Sequence, residues 1–279
     1  MKDVETFNEL EIRGLNADIH LIIKGEKTGV PVIFLPGITS YSLSFVEILK
    51  RMPEKFFSLS MDIRGRGKSS WPKQGYCIHD YTEDLLNVVN ALIANPIPPF
   101  LVGHSMGARI AAAFASTYSS LVSGIVLIDP PITGPGQRQI YPNSLAMFLE
   151  QKAAVDEGNM DKFRSFFPAF TEKQVNQRAE EYSNVSKEAI IGSYEAFIRE
   201  PFQINVKMAT CPMLLLAAEH GDTIREDELS VLKAINPLLK AERVPGVGHM
   251  IYKEAPDQTT EYILSFIESH IKQLNRRHI

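Results

Sequence analysis

One serine in this sequence has the setting of a catalytic nucleophile. Ser105 lies between two glycines in the stretch LVGHSMGARI, with an apolar run before it and an alanine-rich segment after it. A Gly-x-Ser-x-Gly sequence between a strand and a helix is typical of a nucleophile elbow, a tight turn that presents the serine hydroxyl. Backbone N–H groups at the start of such a helix can stabilise a developing oxyanion. The stretch therefore predicts nucleophilic catalysis by Ser105.

A serine hydroxyl needs a general base, and the base needs a carboxylate to orient it. Of the seven histidines, His249 is the best candidate because its segment, VPGVGHMIY, follows the last strand-like run and contains two glycines. His104 is expected to be structural, since a tight turn would point it away from the neighbouring serine. Two aspartates could orient His249: Asp129, which ends the run GIVLI, and Asp222, which follows MLLLAAEHG. Both lie between serine and histidine in the chain, so chain order does not decide between them.

An oxyanion hole also needs a second N–H group, from the loop after an earlier strand. The segment FLPGITS follows the apolar run VPVIFL, and Gly37 within it permits close backbone approach. We expect the backbone N–H of Ile38 to act together with that of Met106.

The elements that must position these residues alternate between strand and helix. Six apolar runs have strand length, and their continuous apolarity indicates strands covered on both faces; they are VPVIFL, FFSLSM, PFLVG, GIVLI, MLLLAA and AERV. Helical periodicity marks residues 81–94, 105–118 and 259–274. Two alternating segments near the N-terminus, FNELEIRG and ADIHLIIKG, predict an antiparallel hairpin. The fold class is therefore α/β, a mostly parallel central sheet with helices on both faces.

Residues 132–208 contain helix-like segments but no clear strand. So long a stretch in an alternating chain predicts an inserted helical cap. The expected division is a core of residues 1–131 and 209–279 and a cap of residues 132–208.

The composition indicates a small-molecule enzyme without a cofactor. The net charge is −4, with no long basic run, which argues against nucleic acid and anionic membranes as partners. No segment has the length of a membrane span and no signal peptide is recognisable, so a cytoplasmic protein is expected, as a monomer or homo-oligomer. The two cysteines and the dispersed histidines form no metal motif. An anionic substrate would need a cation, for which Arg64, Arg109 and Arg138 are weak candidates.

Taken together, the PG loop, DIRGRGKS, GHSMG, the cap insertion and the late Asp and GH resemble the α/β-hydrolase superfamily along essentially the whole chain. Within it, LVGHSMGARI and LIDPPITGPGQRQIYP are similar to the deformylases and acylamide hydrolases of pyridine-ring catabolism, the N-formylmaleamate deformylases in particular. That resemblance implies Asp129 as the orienting acid, whereas most members of the superfamily use the position of Asp222. The sequence departs from the family pattern at Pro36, where the family more commonly has His.

The resulting hypothesis is a serine hydrolase that cleaves the C–N bond of a small N-formyl or N-acyl enamide acid through an acyl-enzyme. A carboxylesterase, an enol-lactonase and a C–C hydrolase remain alternatives within the fold, because fold and triad do not fix the substrate. A small-molecule receptor of the same fold is the alternative outside catalysis.

Overall fold

The computed structural model describes residues 7–92, 94–138 and 144–277, with side chains as far as residue 272. Within these residues, eight strands form one sheet in the order β1-β2-β4-β3-β5-β6-β7-β8. The strands are β1 (Asn8–Ile12), β2 (Ile19–Lys24), β3 (Val30–Leu35), β4 (Phe56–Met61), β5 (Phe100–His104), β6 (Gly124–Ile128), β7 (Met213–Ala218) and β8 (Leu239–Val244). β1 and β2 pair antiparallel, β2 joins β4 antiparallel, and the remaining pairs are parallel.

Helices connect the strands and cover the sheet. They are α1 (Val46–Arg51), α2 (Ile78–Ala91), α3 (Met106–Thr117), α4 (Leu145–Asp156), α5 (Met160–Ser165), α6 (Glu172–Ser183), α7 (Lys187–Phe197), α8 (Phe202–Met208), α9 (Glu226–Ile235), α10 (Ile251–Glu254) and α11 (Pro256–Arg277). None of these helices is both long and apolar enough to cross a membrane, within the described part of the chain.

The continuous apolarity of the central strands is explained by burial on both faces. Along β3, Ile33 and Leu35 belong to one hydrophobic cluster, while Val32 and Phe34 belong to the cluster on the opposite face. Helices α2 and α3 contribute to the first cluster, and α1 and α11 contribute to the second. Because successive side chains of a strand point to opposite faces, a strand covered on both sides is apolar at most positions, with the buried Ser58 and Ser60 of β4 as exceptions.

The predicted fold class is confirmed, including the N-terminal hairpin and the six core strands. The last strand begins at Leu239, two residues earlier than the run AERV, because Leu239 already pairs with Met213. Helices α4–α8 follow one another between β6 and β7. The described part of residues 132–208 contributes no strand to the sheet and forms one isolated bridge, between Val185 and Arg66, outside it. The division into core and cap stays a prediction. Residues 139–143, which end the second resemblance segment, lie outside the described residues.

The strand order determines which loops meet. β3, β5 and β6 are parallel neighbours, so the loops after their carboxyl ends lie side by side. Those loops carry Gly37, Ser105 and Asp129. The carboxyl edge of a parallel sheet is also where α/β proteins place their ligands.

Candidate active site

Ser105 occupies a strained turn between β5 and α3. Its backbone has φ 53° and ψ −112°, a left-handed conformation that a non-glycine residue adopts only at a cost. The turn is pinned because the Ser105 N–H donates to the carbonyl oxygen of Ile128 at 2.9 Å. The strain is a property expected of a nucleophile elbow, in which the turn lifts the side chain above the sheet.

The two glycines beside Ser105 permit this turn by letting backbone segments touch. A Cβ on Gly107 would lie 1.9 Å from the carbonyl oxygen of Leu35, and a Cβ on Gly103 would lie 2.2 Å from that of Gly107. Neither position can accept a side chain unless α3 moves away from β3 and β5. The spacing of the motif is therefore a packing requirement of the helix that follows the serine.

Asp129 directly follows β6 and binds the imidazole of His249. Its Oδ2 lies 2.7 Å from His249 Nδ1, and its Oδ1 accepts the Ala218 N–H at 3.0 Å. The backbone N–H of Asp129 donates to Leu216 at 2.8 Å, and the residue is 1% exposed. Asp129 also has a positive φ of 45°. A carboxylate held on both oxygens places the imidazole proton on Nδ1 and leaves Nε2 as the basic nitrogen.

Asp222 lies at the surface, away from the imidazole. Its side chain is 54% exposed and pairs with Arg138 at 2.7 Å and with Arg225 at 2.7 Å. The hydrogen bond from Arg225, together with Arg138, lowers the pKa of this carboxyl. Its neighbour Thr223 is the nearer residue to His249, with Oγ1 3.4 Å from Nδ1. Of the two aspartates that the sequence left open, the geometry favours Asp129.

His104 supports the loop that carries His249. Its Nε2 donates to the backbone carbonyl of His249 at 2.9 Å, and the two rings lie 4.7 Å apart. Burial, followed by the proximity of His249, lowers the pKa of His104 well below its usual value. His104 is therefore a neutral donor to the loop.

A small pocket opens in front of Ser105. Its lining comes from the loop after β3, the elbow, two helices above the sheet and the loop before α10: Gly37, Ile38, Thr39, Ser40, His104, Ser105, Phe148, Arg178, His249 and Met250. A Cβ on Gly37 would lie 3.5 Å from the Cβ of Ser105, so the Ile38 loop runs directly beside the elbow. Met106 is the first residue of α3, where backbone N–H groups lack intrahelical acceptors. The loop after β3 and the start of α3 thus flank the Ser105 side chain.

The three arginines that the sequence suggested for an anionic substrate do not line this pocket. Arg64 is buried and forms two hydrogen bonds with Asp84, at 2.5 and 2.6 Å. Arg138 is bound to Asp222 and to Glu228 at 2.6 Å. Arg109 is fully buried beneath the helices α4–α8, as described below. The sequence did not reveal that a carboxylate of the protein already partners each guanidinium.

Arg178, on α6, is the cation that the sequence analysis missed. Its guanidinium lines the pocket, bonds to Thr39 and lies 2.7 Å from Glu181. Glu181 also binds Lys253 at 2.5 Å, so two cations share one buried carboxylate. Burial alone would raise the pKa of Glu181, but Lys253 and Arg178 outweigh burial and lower it. The only local signal was the i,i+3 spacing of Arg178 and Glu181, which is common on exposed helices.

Metal-ligating side chains do not cluster among the described residues: no group of three or more His, Cys, Asp or Glu could hold an ion.

Comparison with known proteins finds relatives along most of the chain. The sequence is 30% identical over 234 residues to N-formylmaleamate deformylase of Pseudomonas putida, covering 83% of this chain and 86% of the relative. It is 26% identical to 2-(acetamidomethylene)succinate hydrolase of Mesorhizobium japonicum, covering 90% and 92% of the two chains. The crystal structure of an N-formylmaleamic acid deformylase of Pseudomonas putida superposes with a TM-score of 0.81 at 26% identity, over 90% of this chain and 97% of that one. The resemblance stated from the sequence is thus confirmed.

The fold itself extends to enzymes of other specificity. An enol-lactonase of Burkholderia xenovorans has a TM-score of 0.77 at 16% identity, covering 93% of this chain and all of that one, so the likeness concerns the fold alone. The profile of the alpha/beta hydrolase fold matches residues 30–256. The chain belongs to the α/β-hydrolase family and is a hydrolase.

Proposed function

We propose that this protein cleaves the amide C–N bond of a small N-formyl or N-acyl enamide acid, such as N-formylmaleamate, by a serine mechanism. Ser105 Oγ attacks the carbonyl carbon while His249 Nε2 takes the hydroxyl proton. Asp129 stabilises the resulting imidazolium, and the N–H groups of Ile38 and Met106 bind the oxyanion.

The second half of the reaction returns the enzyme to its starting state. The C–N bond breaks as His249 donates its proton to the leaving nitrogen, and an acyl-enzyme remains on Ser105. Water then attacks the acyl carbon with His249 as base, and formate or the corresponding carboxylate is released. No step requires a group from outside the chain other than water.

The observation that carries the proposal is the 2.7 Å contact between Asp129 and His249 at the pocket that contains Ser105. A strained serine, a histidine oriented by a buried carboxylate and a flanking glycine loop are the parts that acyl transfer needs. The amide preference rests on the two acylamide-hydrolysing relatives.

The anionic character of the substrate is supported by charge balance near Arg178. Arg178 and Lys253 share Glu181, so this cluster keeps a net positive charge beside the pocket. The Arg178 side chain is only 13% exposed, and a cation shielded from water is stabilised when a counter-ion arrives. We propose that a carboxylate of the substrate supplies that negative charge at Arg178, whose planar guanidinium suits bidentate binding.

The test is formate release from N-formylmaleamate by the purified protein, compared with p-nitrophenyl acetate. Release from the amide, lost in Ser105→Ala and retained in Asp222→Asn, is the expected result. Hydrolysis of the ester without any amide cleavage would refute the amide claim. Absence of labelling of Ser105 by a fluorophosphonate would refute the serine mechanism itself.

A further inference from the structure

Arg109 joins the nucleophile helix to the segment that leads into α4–α8 and to the turn between α7 and α8. It lies one turn after Ser105 on α3, where its backbone N–H donates to the Ser105 carbonyl at 3.3 Å, and its side chain is completely buried. On the entry side, Nη1 donates to the carbonyls of Pro131 at 2.8 Å and Thr133 at 2.7 Å. At the turn between α7 and α8, Nη2 donates to the carbonyls of Phe197 at 3.0 Å and Glu200 at 3.1 Å.

The Glu200 carboxylate completes this junction. Its Oε2 accepts the Nε–H of Arg109 at 3.0 Å, and its Oε1 accepts the side-chain amide of Asn205 on α8 at 2.7 Å. Burial raises the pKa of Glu200 although Arg109 opposes the shift. The segment before α4 also touches the α7–α8 turn directly, because a Cβ on Gly134 would lie 2.4 Å from the Glu200 carbonyl oxygen. All three nitrogens of the guanidinium are thus committed to protein acceptors.

We infer that Arg109 is a positioning residue that fixes α4–α8 over Ser105. Pro131 follows Asp129 by two residues, so one guanidinium connects the segments that carry the serine and the aspartate with the turn between α7 and α8. Arg178, on α6, belongs to those helices. The rigid planar fork of arginine sets the spacing of several carbonyls at once, which the single ammonium of lysine cannot do.

This role predicts a split between substrate binding and reactivity at Ser105. A loosened junction displaces Arg178 and Phe148, which reach the pocket from α6 and α4, while the elbow, Asp129 and His249 remain in place. The activity measurement rests on the proposed function. Hydrogen exchange of the junction does not depend on the proposed function, so the role of Arg109 and the proposed function can fail separately.

The experiment compares Arg109→Lys with Arg64→Lys. Arg64 is an equally buried arginine bound to Asp84 outside α4–α8, so it matches the loss of a buried ion pair without touching the junction. In Arg109→Lys we expect amide exchange over residues 197–208 to accelerate by about tenfold, which corresponds to ~1.4 kcal/mol of local opening. Arg64→Lys should leave exchange in that segment unchanged.

The kinetic arm uses the same two variants. In Arg109→Lys, KM for the anionic amide should rise at least about fivefold while fluorophosphonate labelling of Ser105 keeps its wild-type rate. Equal losses in labelling and amide turnover would show that Arg109 merely supports the elbow, and unchanged exchange over 197–208 would also overturn the inference. If Arg109→Lys does not fold, Glu200→Gln, which keeps the shape and removes the charge, takes its place with the same expectations. If amide exchange follows the expectation but the fluorophosphonate never labels Ser105 in the wild-type protein, the proposed function is contradicted and the positioning role of Arg109 is not.

Discussion

Replacing Asp129 by asparagine tests the orientation of His249 at a defined atom. The Ala218 N–H donates to Asp129 Oδ1 at 3.0 Å, so in the variant the amide oxygen should remain at that position. The amide nitrogen then replaces Oδ2, which lies 2.7 Å from His249 Nδ1. Because an NH₂ group donates, Nδ1 must become the acceptor and the imidazole proton moves to Nε2. His249 then has no basic nitrogen facing Ser105.

The expected loss is large because two contributions disappear together. The tautomer is wrong, and the imidazolium formed during the attack loses its buried counter-charge; such a change costs about 10⁴-fold in kcat, or ~5 kcal/mol. Asp222→Asn is the matched control, since its carboxylate is exposed and bound to two arginines. That variant should remain within about twofold of wild type.

The assay is the steady-state turnover of formate release, with circular dichroism to verify folding. Near-normal turnover in Asp129→Asn, with a loss of several orders of magnitude in Asp222→Asn, would refute the assignment. A small loss in both variants would refute the argument that the Ala218 hydrogen bond fixes the amide orientation, because a flipped amide would turn its oxygen toward Nδ1 and keep the tautomer.

Three further perturbations follow from the structure. Arg178→Met should raise KM for the anionic amide by about tenfold to a hundredfold, because a charged substrate loses its partner. Hydrolysis of a neutral ester should stay within about twofold of wild type. Equal effects on the two substrates in a steady-state rate assay would contradict this expectation. Gly107→Ala should lower the free energy of unfolding by about 1–3 kcal/mol, as its Cβ would sit 1.9 Å from the Leu35 carbonyl, and urea unfolding measures the change. Burial would lower the pKa of His20, but Asp62 and Glu9 outweigh burial and raise it above 6.5. The stabilising effect of the charged His20 imidazole is therefore complete below pH 6.5 and is lost as the pH rises through the pKa of His20 in the folded protein. The difference in unfolding free energy between wild type and His20→Gln should accordingly shrink as the pH rises above 6.5, and a difference that grows with pH would disprove the assignment of charge.

The parts of the site that the sequence predicted are those with a local signal. Ser105 has its glycines within two residues on either side, and His249 has a glycine-rich loop after the last strand. The positions of the central strands could also be predicted from the sequence, since burial on both faces makes nearly every residue of these strands apolar. Asp129 needed the family resemblance, because the residues alone allowed Asp222 as well.

The arginines show what local patterns cannot predict. An arginine in the sequence indicates a positive charge but does not show which group accepts its hydrogen bonds. That acceptor often lies far away in the chain and is brought close only by folding. Arg109 binds Glu200, 91 residues away, and Arg178 binds Thr39, 139 residues away. The two cations that share Glu181 beside the pocket therefore became visible only in the folded structure.

The positive φ angles of Ser105 and Asp129 have a consequence for engineering. Each left-handed non-glycine residue stores about 1–3 kcal/mol that the rest of the fold must offset, and glycine adopts the same conformation without that penalty. Ser105→Gly should therefore be an inactive protein with a higher melting temperature than the active one. A selection for heat resistance alone would be expected to discard the hydroxyl first, so any thermostable library of this protein needs turnover as a second criterion.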